Sequence, residues 1–177
     1  LKPNNQLRCS MMQRLIRRDP KAATMLSTQR RMNDQLLSLV KDRYGPNYKS
    51  HPSVSQQRLD GALPPLDINP AIWIDTAGYG ADEERDPLSF SLFNVQESKV
   101  LEQVVNRLFK SGIAKDRIGI IAPYSAQVYL LKSLLPGIEV ATVNSFQGRE
   151  KDVILCSFVR SNIDGDLGFV KDIQRLT

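Results

Sequence analysis

Apolar residues recur with helical period along several stretches of this chain. Between positions 94 and 111, Val100, Leu101, Val104, Val105, Leu108 and Phe109 fall on one stripe, the spacing of a helix with one buried face. Asn94 stands where an N-cap belongs, Glu97 holds the capping-box position, and Gly112 supplies a stop. The same pattern predicts a short basic helix over 10–18, with Met11, Met12, Leu15 and Ile16 on one face. It predicts another over 35–44, with Leu36, Leu37 and Val40 as its stripe, and a third over 125–135, closed by Pro136-Gly137. Continuous apolar runs predict strands over 71–75, 118–122, 139–143 and 153–159. The last is apolar at nearly every position, as in a strand buried on both faces. Residues 45–70, broken by Pro46, Pro52, Pro64 and Pro65, read as an irregular loop, and 78–91 as a polar, acidic one.

Strands alternating with helices predict an α/β fold, a parallel sheet with helices on both faces. Ligands of such sheets bind at loops leaving the carboxyl ends of strands. The loops to inspect therefore follow Asp75, Ala122, Val143 and Val159. A length of 177 residues suits one domain, and 41% hydrophobic with 24% charged residues suits a globular one. The net charge of +5 permits a polyanionic partner without requiring one. No apolar run approaches the roughly 20 residues that span a bilayer. No signal core follows Leu1-Lys2-Pro3-Asn4-Asn5, so an intracellular protein, nuclear or cytoplasmic, is expected. Cys9 and Cys156 make no disulfide scaffold, and Cys156, inside an apolar run, is expected as a reduced core residue. His51 has no partner at metal-ligand spacing, so no metal site is expected.

The loops differ in what they carry. Asp75-Thr76-Ala77-Gly78 looks in isolation like a GTPase phosphate sensor, but no Gly-Lys-Ser/Thr cradle accompanies it, which leaves a polar junction. Asp82-Glu83-Glu84-Arg85-Asp86 reads as a solvated acidic loop, with no strand to aim its carboxylates at a metal. Pro123-Tyr124-Ser125 opens a helix, where free N–H groups suit a phosphate and Tyr124 can stack on a base. The plain alternative is that Ser125 caps the helix and Tyr124 packs on Tyr129. Positions 142–150 crowd hydroxyls, amides, Arg149 and Glu150 around Gly148, groups suited to phosphates and sugars. Arg30 and Arg31 follow Gln29, and an arginine fork can reach a polyphosphate; two surface arginines are the alternative.

Together these segments resemble one arrangement. Gln29-Arg30-Arg31-Met32 is similar to the Gln-Tyr-Arg-Met motif of superfamily 1 helicases of the nonsense-transcript-regulator-like group. Ala122-Pro123-Tyr124-Ser125-Ala126-Gln127 resembles that group's Pro-Tyr-x-x-Gln segment. The run from Thr142 to Glu150 resembles Thr-Val-Asp-x-Phe-Gln-Gly-Arg-Glu, with Asn144 in place of Asp. Ser157-Phe158-Val159-Arg160-Ser161-Asn162, followed by Gly165 and Gly168-Phe169, is also typical. This last run and Ile74-Asp75-Thr76-Ala77-Gly78 bring the chain nearest the branch of the immunoglobulin mu-binding protein 2 and DNA-polymerase-alpha-associated helicases.

The resemblance implies that residues 1–177 are the second RecA-like domain of a helicase that hydrolyses ATP to move 5′ to 3′ on single-stranded DNA or RNA. It implies that Arg31 stabilises the transferring phosphate, and that Gln29, Arg30, Gly148, Arg149 and Glu150 serve the nucleotide. It implies that Pro123, Tyr124, Ser125, Thr142, Asn144, Ser145, Arg160 and Asn162 serve the nucleic acid. Arg30 replaces the usual Tyr, and Asn33-Asp34 the usual His-Pro. The phosphate-binding loop and the Mg²⁺ carboxylates belong to the family's first domain. The chain, starting without Met and stopping before the last arginine-bearing motif, reads as a fragment inactive alone. Two rivals stand beside this reading: a non-hydrolysing module that binds nucleic acid or protein, and an unrelated doubly wound enzyme acting on a small molecule.

Overall fold

The computed structural model describes residues 10–60 and 69–168. Cys9, Pro64, Pro65, Phe169 and 171–177 lie outside the described residues. The chain divides into two units, Leu1–Gln57 and Arg58–Thr177, so the boundary falls inside the proline-broken stretch.

In the first unit, helix α1 (Met11–Arg18) starts from a closed capping box: the Ser10 hydroxyl accepts the Gln13 N–H, and the Gln13 side chain accepts the Ser10 N–H. Its four apolar residues are exposed. Strand β1 (Thr28–Gln29) pairs in parallel with β2 (Lys49–Ser50). Between them α2 (Asp34–Tyr44) is capped by Asn33, buries Leu37, and ends on Gly45 at φ 89°. Short α3 (Pro52–Ser55) follows. The stretch expected to be all loop thus holds a strand and a helical turn, too short to show a period.

The second unit is built on α4 (Val95–Lys110), which the stripe predicts. It ends as its glycine requires: Gly112, at φ 83°, donates to Phe109 O and Ile113 to Leu108 O. Strand β5 (Ile118–Ala122) is followed by α5 (Ser125–Leu134), β6 (Glu139–Thr142), α6 (Val143–Phe146) and β7 (Val153–Cys156). The three strands form one parallel sheet in the order β6-β5-β7. Ile118, Ile120 and Ala122 of β5 meet Leu101, Val105 and Leu108 of α4 and Val128 and Leu131 of α5 in one buried cluster. Gly119 points the other way, toward α6. The α/β, RecA-like expectation, with helices on both faces, holds. Before α4, β3 (Glu84–Arg85) and β4 (Leu92–Phe93) pair antiparallel, turning the expected acidic loop into a hairpin. No helix among the described residues is long and apolar enough to cross a membrane.

Two strand expectations fail. Residues 71–75 form no strand and are exposed, with Trp73 75% accessible and its ring 5.3 Å from that of Phe158. An apolar run becomes a strand only when another strand pairs with it, and none does so here among the described residues. β7 stops at Cys156 and alternates half-buried with exposed positions. It has β5 on one side only among the described residues, so half of its apolar run reaches the surface. Cys156 is correspondingly exposed rather than a core residue, although its apolar surroundings push the thiol pKa up. The 139–143 strand also ends one residue early, because Val143 begins α6.

Gly119 is required by close approach. A Cβ there would sit 2.8 Å from the Phe146 ring and 3.0 Å from Lys151 Cγ. Phe146 is itself buried and has little room to retreat. Gly119→Ala is expected to destabilise the second unit by about 1–2 kcal/mol, overpacking outweighing the small backbone gain. A urea midpoint followed by circular dichroism checks it, and an unchanged midpoint would show that the ring moves freely.

Candidate functional site

Register places the candidate loops on one edge. Ala122 lies opposite Thr142, and Ile121 opposite Cys156, so the three strands end nearly level. Pro123-Tyr124-Ser125, helix α6 and the turn 157–162 therefore leave the sheet side by side. Ser125 does not cap α5; Tyr124 occupies the N-cap without a side-chain bond. The capping is done from a distance by Ser91, whose hydroxyl accepts the Ala126 N–H at 3.1 Å and meets the Ser125 hydroxyl at 3.2 Å. Thr142 caps α6: its hydroxyl accepts the Ser145 N–H at 3.3 Å and donates to Ser145 Oγ at 2.9 Å. Asn144 and Ser145 are exposed on that turn.

Arg160 and Asn162 are knitted into their own loop. Arg160 lies 3.0 Å from Glu83 and from Asp166 and reaches the Tyr124 hydroxyl at 3.5 Å. Desolvation pulls its pKa down, but the bond to Tyr124 and the charges of Glu83 and Asp166 outweigh it and hold it above the ordinary value. Glu83 also accepts the Ser161 N–H at 3.0 Å and the Asn162 amide at 3.2 Å. Asn162 closes the loop through Asp166, accepting its N–H at 2.8 Å and donating to its carbonyl at 2.9 Å. The carboxylate expected in a solvated run is thus the pin of the Arg160 loop. Its partners lie 78 and 79 residues away, where no local pattern reveals them.

Beneath this edge is a buried polar network. Gln127 is 0% exposed. Its carbonyl accepts the Asn94 N–H at 2.8 Å, and its amide donates to Ser98 and Ser157 hydroxyls at 3.0 Å each. Asn94 caps α4 through the Glu97 N–H and donates to Ala81 O and Val159 O. Glu97 stands at the capping-box position but does not close the box. Its two oxygens accept the N–H groups of Phe158 and Val159 at 2.8 Å each. Val159 is 1% exposed and sits at φ 70°, a conformation costly for a β-branched residue and held here by that clamp. Gln127 belongs to a motif singled out in the sequence; the parts played by Ser98, Ser157 and Glu97 were not legible there.

In the stretch 147–151, Gly148 takes φ 83°, which favours glycine, and Glu150 is exposed. Arg149 is ion-paired with Glu139, which Lys151 also meets at 3.0 Å. Lys151, then Arg149, hold the Glu139 carboxyl below its ordinary pKa. Ser125, Thr142, Ser145 and Arg149 line one groove between α5 and β6. Among the described residues no group of three or more His, Cys, Asp or Glu side chains is placed to hold a metal ion.

Gln29, Arg30 and Arg31 lie in the first unit. Gln29 is buried, and its amide makes four bonds: its oxygen accepts from Arg31 N–H (2.7 Å) and Met32 N–H (2.9 Å), and its nitrogen donates to Met32 O (2.6 Å) and Ser50 Oγ (2.7 Å). An amide has two donors and two acceptor positions, so all are used. Gln29 shapes the turn on which Arg30 and Arg31 stand exposed.

The AAA domain family profile matches residues 7–177. The chain is 34% identical over 94% of its length to mouse DNA-binding protein SMUBP-2, of which the match covers 18%. It is 33% identical over 97% of its length to the Saccharomyces cerevisiae DNA polymerase alpha-associated DNA helicase A, of which 28% is covered. It is 32% identical over 85% of its length to the yeast ATP-dependent helicase NAM7, of which 17% is covered. The chain therefore spans less than a third of the length of each of these relatives.

Proposed function

Because the chain belongs to the AAA domain family of superfamily 1 helicases, we propose that it is the second RecA-like motor domain of an enzyme that couples ATP hydrolysis to 5′-to-3′ movement on single-stranded DNA or RNA. The observation that carries this reading is the level ending of β5, β6 and β7. It sets the hydroxyls, amides, aromatic ring and cation of Pro123, Tyr124, Ser125, Thr142, Asn144, Ser145, Arg160 and Asn162 along one edge, with Ser125, Asn144 and Ser145 exposed and Pro123, Tyr124, Thr142, Arg160 and Asn162 half-buried beside them. Such groups grip sugar and phosphate without reading bases, which suits a motor that must step over any sequence.

In the first unit Arg31 serves the transferring phosphate and Arg30 the nucleotide, on the turn that Gln29 fixes. In the second unit, taken by itself, Gly148, Arg149 and Glu150 are the nucleotide-serving residues. Glu97 and Glu83 are positioning residues: they hold the Arg160 loop against α4 and the hairpin. The phosphate-binding loop and the Mg²⁺ ligands come from a first RecA-like domain, where the metal neutralises phosphate charge. Arg30, in place of a stacking Tyr, favours one second reading, a binding module without hydrolysis.

The test is ATPase activity of the full-length protein with and without single strands. The motor reading expects strand-dependent hydrolysis, and none from residues 1–177 alone. A full-length protein that binds strands but hydrolyses nothing gives the module reading its place.

A further inference from the structure

The groove between α5 and β6 has a volume of about 230 Å³ and is lined by Ser125, Tyr129, Lys132, Thr142, Ser145 and Arg149, with an apolar floor from Val128, Val140 and Ala141. Three of those residues sit at the strand ends assigned to nucleic acid; Tyr129 and Lys132 do not. They stand three residues apart on α5, hence on one face of the helix. No carboxylate lines the groove. Arg149 shares its charge with Glu139, whereas Lys132 has no acidic partner within ion-pair distance among the described residues. Lys132 therefore supplies the groove's uncompensated positive charge. Beside it the Tyr129 ring is 72% exposed, a large aromatic surface that the core does not use.

We infer that the groove extends the nucleic-acid track down α5: Lys132 and the Ser145 and Ser125 hydroxyls take a backbone phosphate, and the Tyr129 ring stacks on an adjacent base. The inference rests on the single-strand reading above and adds two contact residues to it. A cation with hydroxyls beside an open aromatic face is the combination that holds single strands irrespective of sequence. A protein partner fits less well, because the walls are hydroxyls and cations rather than a continuous apolar surface.

The test is fluorescence anisotropy of the full-length protein with labelled oligo-dT and oligo-U about 20 nucleotides long, enough to exceed a single site. Parent, Lys132→Ala, Lys132→Arg, Tyr129→Ala and the double alanine variant are titrated at several salt concentrations. Both positions are exposed on a helix, where alanine is well tolerated. Tyr129→Ala is expected to weaken binding about tenfold. Lys132→Ala is expected to flatten the slope of log K against log salt by about 0.7, the loss of one phosphate contact on a single strand, and Lys132→Arg to keep it. A double variant with the parent's affinity and slope overturns the inference and leaves the motor reading standing. A parent that binds neither oligonucleotide overturns both.

Discussion

Arg31→Ala is expected to lower single-strand-stimulated ATP hydrolysis by the full-length protein about a thousandfold or more, the range associated with removing an arginine from the transferring phosphate. Arg31 stands on a turn that Gln29 holds. The buried Gln29 amide uses every hydrogen-bonding position on that turn and on Ser50, and its oxygen takes the Arg31 and Met32 N–H groups together. The main chain under Arg31 is thereby fixed while the side chain stands exposed. A guanidinium on a rigid support can meet charge that develops in the transition state without reorganising, and such preorganised charge lowers barriers most. A thousandfold corresponds to about 4 kcal/mol of barrier. Because the contact strengthens only as the phosphate transfers, kcat falls and KM for ATP changes little. Arg31→Lys should fail to rescue, since an ammonium lacks the planar fork. Affinity for single strands and the thermal transition serve as controls. A loss below about tenfold, with both controls at parent values, would remove Arg31 from the chemistry.

What the sequence makes legible is what its neighbours decide. α2, α4 and α5 lie within a residue of their expected bounds because a 3.6-residue stripe and a closing glycine are local signals, to which α2 and α4 add an Asn cap. The loops after β5, β6 and β7 were legible for a similar reason, since each follows an apolar run that does form a strand. Long-range pairing decides the rest. Ala71-Ile72-Trp73-Ile74-Asp75 has the composition of a buried strand, yet composition does not tell whether another strand lies alongside it. Glu97 shows the same limit at one residue. Its spacing from Asn94 is that of a capping box, but its carboxylate meets two N–H groups 61 and 62 residues away. There the charge accepts two N–H groups at once, one of them from buried Val159 at φ 70°. Thr142-Val143-Asn144-Ser145 reads as loop because a four-residue helix has no period to detect. Tyr129 and Lys132 were passed over because exposed residues of a helix carry no signal until the groove beside them is seen.

Asn94→Ala is expected to destabilise the second unit by about 3–4 kcal/mol, well beyond the roughly 1 kcal/mol of an average substitution. Three losses add. The α4 cap goes, freeing the Glu97 N–H, at about 1 kcal/mol. The carbonyls of Ala81 and Val159 then lose the Asn94 amide, at about 1 kcal/mol or more each for buried acceptors left unpaired. The second of these belongs to the residue at φ 70° whose N–H Glu97 holds, so the turn leading to Arg160 loosens from both sides. The Asn94 N–H to Gln127 bond is main-chain and survives. Asn94→Ser separates the parts, since a serine hydroxyl caps a helix but cannot reach two distant carbonyls. Urea unfolding followed by circular dichroism should therefore place Asn94→Ser between the parent and Asn94→Ala, regaining about 1 kcal/mol. If serine restored the parent's midpoint, the bonds to Ala81 and Val159 would contribute nothing. If alanine cost no more than a cap, Asn94 would be a helix terminus and not the junction of α4, the 81 loop and the Arg160 turn.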